Sequence, residues 1–139
     1  MKAECEFCRI AAADVVFEDD ISLAFLDHRP LFPGHLLLIP KQHCETLADL
    51  PATMVGRFFS NVQTLAQAVE TAMAAEGSFV AINNRVSQSV PHLHVHIVPR
   101  RRKDGLKGFF WPRHKYVSPE QREETRLAIR KALQTDVEG

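Results

Sequence analysis

Cysteine is scarce in this chain, with three residues in 139. An odd, small number excludes a disulfide framework and makes a reducing, cytoplasmic compartment the expectation. No apolar run approaches the roughly 18 residues a membrane span needs, so no membrane partner is expected. A basic segment followed by an apolar stretch is missing near the N-terminus, so a signal peptide is not expected. Charge of one sign is not in excess: 17 basic residues stand against 17 acidic ones. A general polyanion-binding surface is thereby excluded, and nucleic acid is not an expected partner. There is no internal repeat and no low-complexity tract. The length suits one domain, 1–139, with one real core.

What is present reads as α+β. Residues 6–13 predict a short helix. Val15 to Glu18 and Ile21 to Asp27 read as strands joined by an Asp19-Asp20 turn. Pro30 and Pro33-Gly34 mark a loop. Leu36 to Ile39 is a third strand, closed by Pro40. Pro51 opens the longest helix, about 51–75, with Val55, Phe58, Phe59, Val62, Leu65, Ala66, Val69 and Met73 at helical spacing and Gly77 as its stop signal. Phe79 to Ile82 is a fourth strand and His92 to Val98 a fifth. Ser118-Pro119-Glu120-Gln121 carries a capping serine, a first-turn proline and a capping-box glutamine, and opens a last helix with a thin apolar stripe of Leu127, Ala128 and Leu133. Short strands with one long helix imply an antiparallel sheet with that helix packed on one face.

Three of the seven histidines alternate in the fifth strand, His92-Leu93-His94-Val95-His96. Alternation places the imidazoles on one face and Leu93, Val95 and Ile97 toward a core. The outer two lie roughly 13 Å apart along a straight strand, too far to share one metal ion. Neighbours, about 6.6 Å apart, can share a ligand or a hydrogen-bond chain. A neutral ring nitrogen can attack phosphorus when the other nitrogen is hydrogen-bonded, and a neighbouring histidine can serve the leaving group. A two-histidine metal site is the rival reading. Cys5-x-x-Cys8 reads as half a tetrahedral zinc site or a redox dithiol, with His43 and His92 as further zinc ligands in the first case. Cys44 has no partner at useful spacing.

Two motifs carry a family resemblance: Asp27-x-x-Pro30-x-x-Pro33-Gly34-His35-x-Leu37-x-x-Pro40-Lys41-x-His43, and Gln88-x-Val90-x-His92-x-His94-x-His96-x-x-Pro99-Arg100. The chain resembles the histidine triad (HIT) family from Cys5 to Arg100. The resemblance implies a five-stranded antiparallel meander with helices, a homodimer with the sheet continued across the interface, and hydrolysis or transfer at the α-phosphate of purine, first adenosine, nucleotide conjugates. It implies that His94 is the nucleophile, that His96 hydrogen-bonds the phosphate or leaving group, and that His92 and His35 support the site. It implies that Asp27 holds the ribose hydroxyls, that Asn83 contacts the phosphate or leaving group, and that Gln88 and Ser89 cradle the α-phosphate. It also implies a structural Zn²⁺ on Cys5, Cys8, His43 and His92.

One departure stands out. The family's glycine-rich stretch before the triad is here Asn83-Asn84-Arg85-Val86-Ser87-Gln88, without glycine, although glycine is what lets backbone approach a phosphate closely. After the triad, Arg100 to Lys103 with Lys107, Arg113 and Lys115 form a local basic run able to hold a polyphosphate or be a solvated turn. Gly108-Phe109-Phe110-Trp111-Pro112 is read as packing at a core or interface, or as covering a nucleotide base.

Overall fold

A computed structural model of the chain describes residues 5–106 and 113–138. The aromatic segment 108–112 and Lys107 lie outside the described residues. Five strands form one antiparallel sheet: β1 (Val15–Glu18), β2 (Ser22–Leu26), β3 (Leu36–Pro40), β4 (Gly77–Ile82) and β5 (Val95–Arg100). The order is β1-β2-β3-β5-β4, so the sheet follows the chain through three strands and then sets β5 inside β4. Helix α1 (Ala52–Ala72) connects β3 to β4, and α2 (Pro119–Glu138) lies near the end of the chain. The chain divides into two compact units, Met1–Asp104 and Gly105–Gly139.

Both faces of the sheet in the first unit are covered, which explains why β3 is an unbroken apolar run. Leu36 and Leu38 join Ala24, Leu93, Val95 and Ile97 beneath Phe58, Val62, Leu65 and Val69 of α1. Those four helix residues recur at spacings of four and three, the stripe that the sequence pattern predicts. Leu37 and Ile39 point the other way, to Phe25, Phe7, Cys5 and Val90. In register, Leu37 pairs with both Phe25 and His96. The histidine face is therefore the face away from α1.

The β1–β2 turn is tied by Asp19, whose Oδ1 accepts from the Ile21 and Ser22 amides at 3.0 and 2.8 Å. Asn61 of α1 donates to Asp19 Oδ2 at 2.8 Å. Partial burial works against the charged carboxylate, but the bonds from Asn61 and the turn amides outweigh it and hold the group down to about 2. Gly34 sits at φ +98°, and a Cβ there would come within 2.6 Å of Met73 Cγ, so this turn requires glycine.

Four details depart from the sequence reading. Residues 6–13 are two 3-10 turns, Glu6–Cys8 and Ala12–Asp14, not a helix. Tight turns eclipse residues i and i+3, which puts the Cys5 and Cys8 side chains on one side. Helix α1 ends at Ala72, where Ala74 takes a left-handed φ of 50°, and Gly77 opens β4 instead of stopping the helix. Strand β5 begins at Val95, because the His92 and Leu93 amides turn to Val90 O and Cys44 O at 2.8 and 2.7 Å. Part of the basic run is spent locally: Arg100 binds Asp104 at 2.6 Å, Arg102 binds Glu76 and Arg101 binds the Met73 carbonyl.

In the second unit, Ser118 Oγ accepts the Gln121 amide at 3.1 Å and Gln121 Oε1 accepts the Val117 amide at 2.6 Å. The serine cap is the one expected of that motif, while the glutamine reaches the amide one residue before the cap. Leu127, Ile129 and Leu133 of α2 are about half exposed. Among the described residues no helix is long and apolar enough to cross a membrane.

Candidate functional site

Cys5 Sγ, Cys8 Sγ, His43 Nδ1 and His92 Nδ1 all lie within 4.8 Å of one another. His92 Nδ1 is 3.5 Å from each sulfur, and His43 Nδ1 is 3.4 Å from Cys8 Sγ. Tetrahedral zinc, with sulfur at about 2.3 Å and nitrogen near 2.05 Å, requires sulfur–nitrogen edges of about 3.6 Å. The donor set fits that ion. His92 Nε2–H donates to the Pro40 carbonyl at 2.9 Å, which leaves the Nδ1 lone pair for a metal. His92 is wholly buried. The expectation that its ring shares one open face with His94 and His96 is thereby corrected: the chain leaves the strand ladder at this residue, and its ring turns to the cysteines.

The same residue anchors the next histidine. His94 Nδ1–H donates to the His92 carbonyl at 2.7 Å. That bond fixes the neutral ring with its lone pair on Nε2. Phe7 meets the His94 ring edge-on, with centroids 4.9 Å apart. Burial pushes the His94 pKa below the usual imidazole range, against the bond to the His92 carbonyl. His94 is only 3 % exposed, yet it lines a cleft of 670 Å³.

His96 borders the same cleft, its ring 5.1 Å from that of His94. Burial first, then the neighbouring His94 and His35, lower it to about 4. His35 Nε2 lies 3.0 Å from His96 Nδ1 and 3.6 Å from Asp27 Oδ2. Burial lowers the His35 pKa too, with Asp27 opposing. Asp27 Oδ1 accepts the Arg29 amide at 2.9 Å, and the carboxylate opens on the cleft.

Ser89 lines this cleft and a neighbouring one of 390 Å³. Glu6 and Val90 border both, and the smaller cleft adds Cys5, His43, Glu45 and Pro91. Asn83 and Gln88 line neither. Gln88 spends its amide on the loop: Nε2 donates to the Glu45 carbonyl at 2.6 Å, and Oε1 accepts the Arg85 amide at 2.8 Å. Asn84 Oδ1 accepts the Leu47 amide at 2.9 Å. Arg85 and Ser87 occupy left-handed backbone, φ 67° and 61°. The loop thus holds two glycine-like conformations without glycine, each strained by about 1 kcal/mol.

The sequence reading missed the apolar wall of the cleft, Phe7, Ile10, Phe25 and Leu37, together with Arg9, His28 and Arg29 at its rim. Phe7 lies between the two cysteines and Ile10 just after them, and His28 and Arg29 follow Asp27. Neither group carries a periodicity that separates it from ordinary core or surface.

A HIT domain family model matches residues 9–103. The chain belongs to the HIT family. It is 34% identical over 112 residues to the adenylylsulfatase HINT3 of Arabidopsis thaliana, covering 76% of this chain and 57% of that protein. It is 34% identical over 123 residues to the adenosine 5'-monophosphoramidase hnt1 of Schizosaccharomyces pombe, covering 84% of this chain and 89% of that protein. A HIT family crystal structure from Bacillus subtilis superposes with a TM-score of 0.82 at 34% identity, covering 92% of this chain and 96% of that one. A zinc-bound histidine triad protein from Mycobacterium smegmatis superposes at 0.69 and 35% identity, covering 98% of each chain. Named members of the family thus include an adenylylsulfatase and an adenosine 5'-monophosphoramidase.

Proposed function

We propose that this HIT protein cleaves the bond between the α-phosphorus and a leaving group X in purine nucleotide conjugates, adenosine first, through a nucleotidyl intermediate on His94. The observation that carries this reading is the anchored ring: with Nδ1–H bound to the His92 carbonyl, the lone pair of His94 is on Nε2, in a residue that lines the large cleft. In the first step that lone pair forms the N–P bond, and the P–X bonding pair leaves with X. In the second, water attacks phosphorus and the N–P pair returns to His94. The proton that X draws from solvent in the first step is restored when water loses one in the second. Asp27 accepts from the ribose hydroxyls, and Ser89 and His96 hydrogen-bond the phosphate and X. Gln88 acts through the backbone it braces.

The leaving group is best read as an amine. With the nucleoside toward Asp27, X departs on the Ser89 side. The adjoining cleft there is lined by Glu6, Glu45 and His43, with no lysine or arginine among its described residues. Repulsion between carboxylates and a polyphosphate disfavours dinucleoside polyphosphates. Arg100 and Arg102 of the basic run are drawn to Asp104 and Glu76, which weakens the argument for them.

Zinc on Cys5, Cys8, His43 and His92 belongs to this reading as a structural ion that supplies rigidity and no chemistry. So does a homodimer joined at β4, a regular six-residue edge with Val80 exposed, whereas β1 is short and bulged. A single domain over 1–139 and a cytoplasmic location, in keeping with three cysteines that form no disulfide, complete it.

The test is turnover of adenosine 5'-phosphoramidate and of a dinucleoside tetraphosphate in oxygen-18 water. The expected result is label in AMP, with the phosphoramidate preferred. Release of ADP in phosphate buffer would favour a phosphorylase. Turnover of both substrates no faster than by His94→Ala would leave only a nucleotide-binding protein.

A further inference from the structure

The two cleft histidines carry their hydrogens on opposite nitrogens, and the second placement traces to a residue outside the triad. The Leu31 amide donates to His35 Nδ1 at 3.1 Å. An amide nitrogen cannot accept, so His35 Nδ1 holds a lone pair and the ring hydrogen sits on Nε2. That Nε2–H has one acceptor in hydrogen-bond range, His96 Nδ1 at 3.0 Å, since Asp27 Oδ2 at 3.6 Å is beyond it. His96 Nδ1 therefore accepts, and the neutral His96 ring carries its hydrogen on Nε2. His94 is the mirror case, with hydrogen on Nδ1 and lone pair on Nε2.

We propose that His35 is a positioning residue that fixes the tautomer of His96, so that an N–H and not a lone pair faces the leaving group. The inference rests on the hydrolase reading and deepens it. His94 presents a lone pair to phosphorus, and His96 Nε2–H donates to X as the P–X pair departs. His96 keeps its hydrogen throughout, and X takes its proton from solvent. The loop that makes this possible is Pro30 to Gly34: the His35 amide bonds back to Phe32 O at 3.1 Å, curling the chain so that Leu31 reaches the ring four residues on. Burial of His35, 3 % exposed, keeps water from competing for either nitrogen.

The same chain of bonds decides a second question. Asp27, His35 and His96 present three donor atoms within 4.8 Å, a grouping with the look of a metal site. His35 cannot serve there as a neutral ligand through Nε2, because that nitrogen already bears the hydrogen. The cluster is a hydrogen-bond relay.

Two measurements test the proposal. In the intact wild-type protein, nitrogen-15 NMR of the His96 ring should show the hydrogen on Nε2, and finding it on Nδ1 would overturn the proposal without any variant. Kinetics of His35→Phe should then depend on the leaving group. An adenosine phosphoramidate with an alkylamine leaving group should lose about 10²-fold in kcat/KM, the usual cost of losing one donor to the electron pair that builds on a departing atom. An adenosine p-nitrophenyl phosphate, whose leaving group holds its own charge, should lose at least tenfold less. His35→Gln, which can both accept from Leu31 and donate to His96, should recover most of the loss. Equal losses with both substrates, or no recovery with glutamine, would overturn the tautomer role. No turnover of either substrate by the wild-type protein would instead refute the hydrolase reading itself.

Discussion

The backbone carbonyl of His92 accepts the ring N–H of His94 at 2.7 Å, while the ring of His92 points its own Nδ1 at Cys5 and Cys8, 3.5 Å from each sulfur. One residue thus ties the proposed metal group to the proposed nucleophile. Whatever shifts His92 shifts the atom that fixes the His94 tautomer. Removal of metal with a strong chelator should accordingly lower the melting temperature by more than about 5 °C and reduce turnover together. Calorimetry with metal analysis reads this. Protein that contains no ion as purified and melts unchanged with chelator would contradict the zinc assignment.

Replacing His94 by alanine should lower kcat/KM by at least about 10³-fold while nucleotide binding persists, because Asp27 and the apolar wall of the cleft stay in place. Isothermal titration with AMP separates binding from turnover. A variant that turns over at more than a tenth of the wild-type rate would mean that another group attacks phosphorus.

Burial holds His35 and His96 in the neutral form, His96 down to about 4. A histidine whose folded pKa is depressed stabilises the fold above its unfolded value near 6.5, and that contribution is lost as pH falls toward the folded value. Stability should decline progressively between pH 6.5 and 4. Activity should persist below pH 6.5, because the rings that must be neutral resist protonation. Urea melts and kcat/KM profiles across this range check both, and an activity midpoint at 6.5 would show rings that titrate as if exposed.

Arg85 and Ser87 hold left-handed backbone without being glycine. At such positions glycine should beat alanine by about 1 kcal/mol, the reverse of the usual order. Arg85→Gly and Arg85→Ala, and the same pair at Ser87, measured by denaturant unfolding, provide the comparison. An alanine variant as stable as its glycine counterpart would place the loop in another conformation.

Much of this was legible in the residues. The unbroken Leu36 to Ile39 run, the α1 stripe and the capping residues before α2 each state one local preference that the fold satisfies. The cysteine pair, His43 and His92 come together as the resemblance implies. The departures arise where long-range demands override local pattern. His92 sits in perfect alternation with His94, yet the Cys44 and Pro40 carbonyls draw this segment out of the ladder. The Glu6–Cys8 turn forms where a helix is expected, because both sulfurs face the histidine rings. The bond from Leu31 to His35 left no trace in sequence, since a backbone amide reads the same at every position.

The most direct test of the account is the stereochemical course at phosphorus. An adenosine phosphoramidate carrying a chiral α-phosphorothioate, hydrolysed in oxygen-labelled water, passes through two in-line displacements if His94 is a nucleophile. Attack by His94 and then by water predicts overall retention of configuration. Inversion would show a single direct attack by water and would contradict the covalent intermediate at the centre of this account.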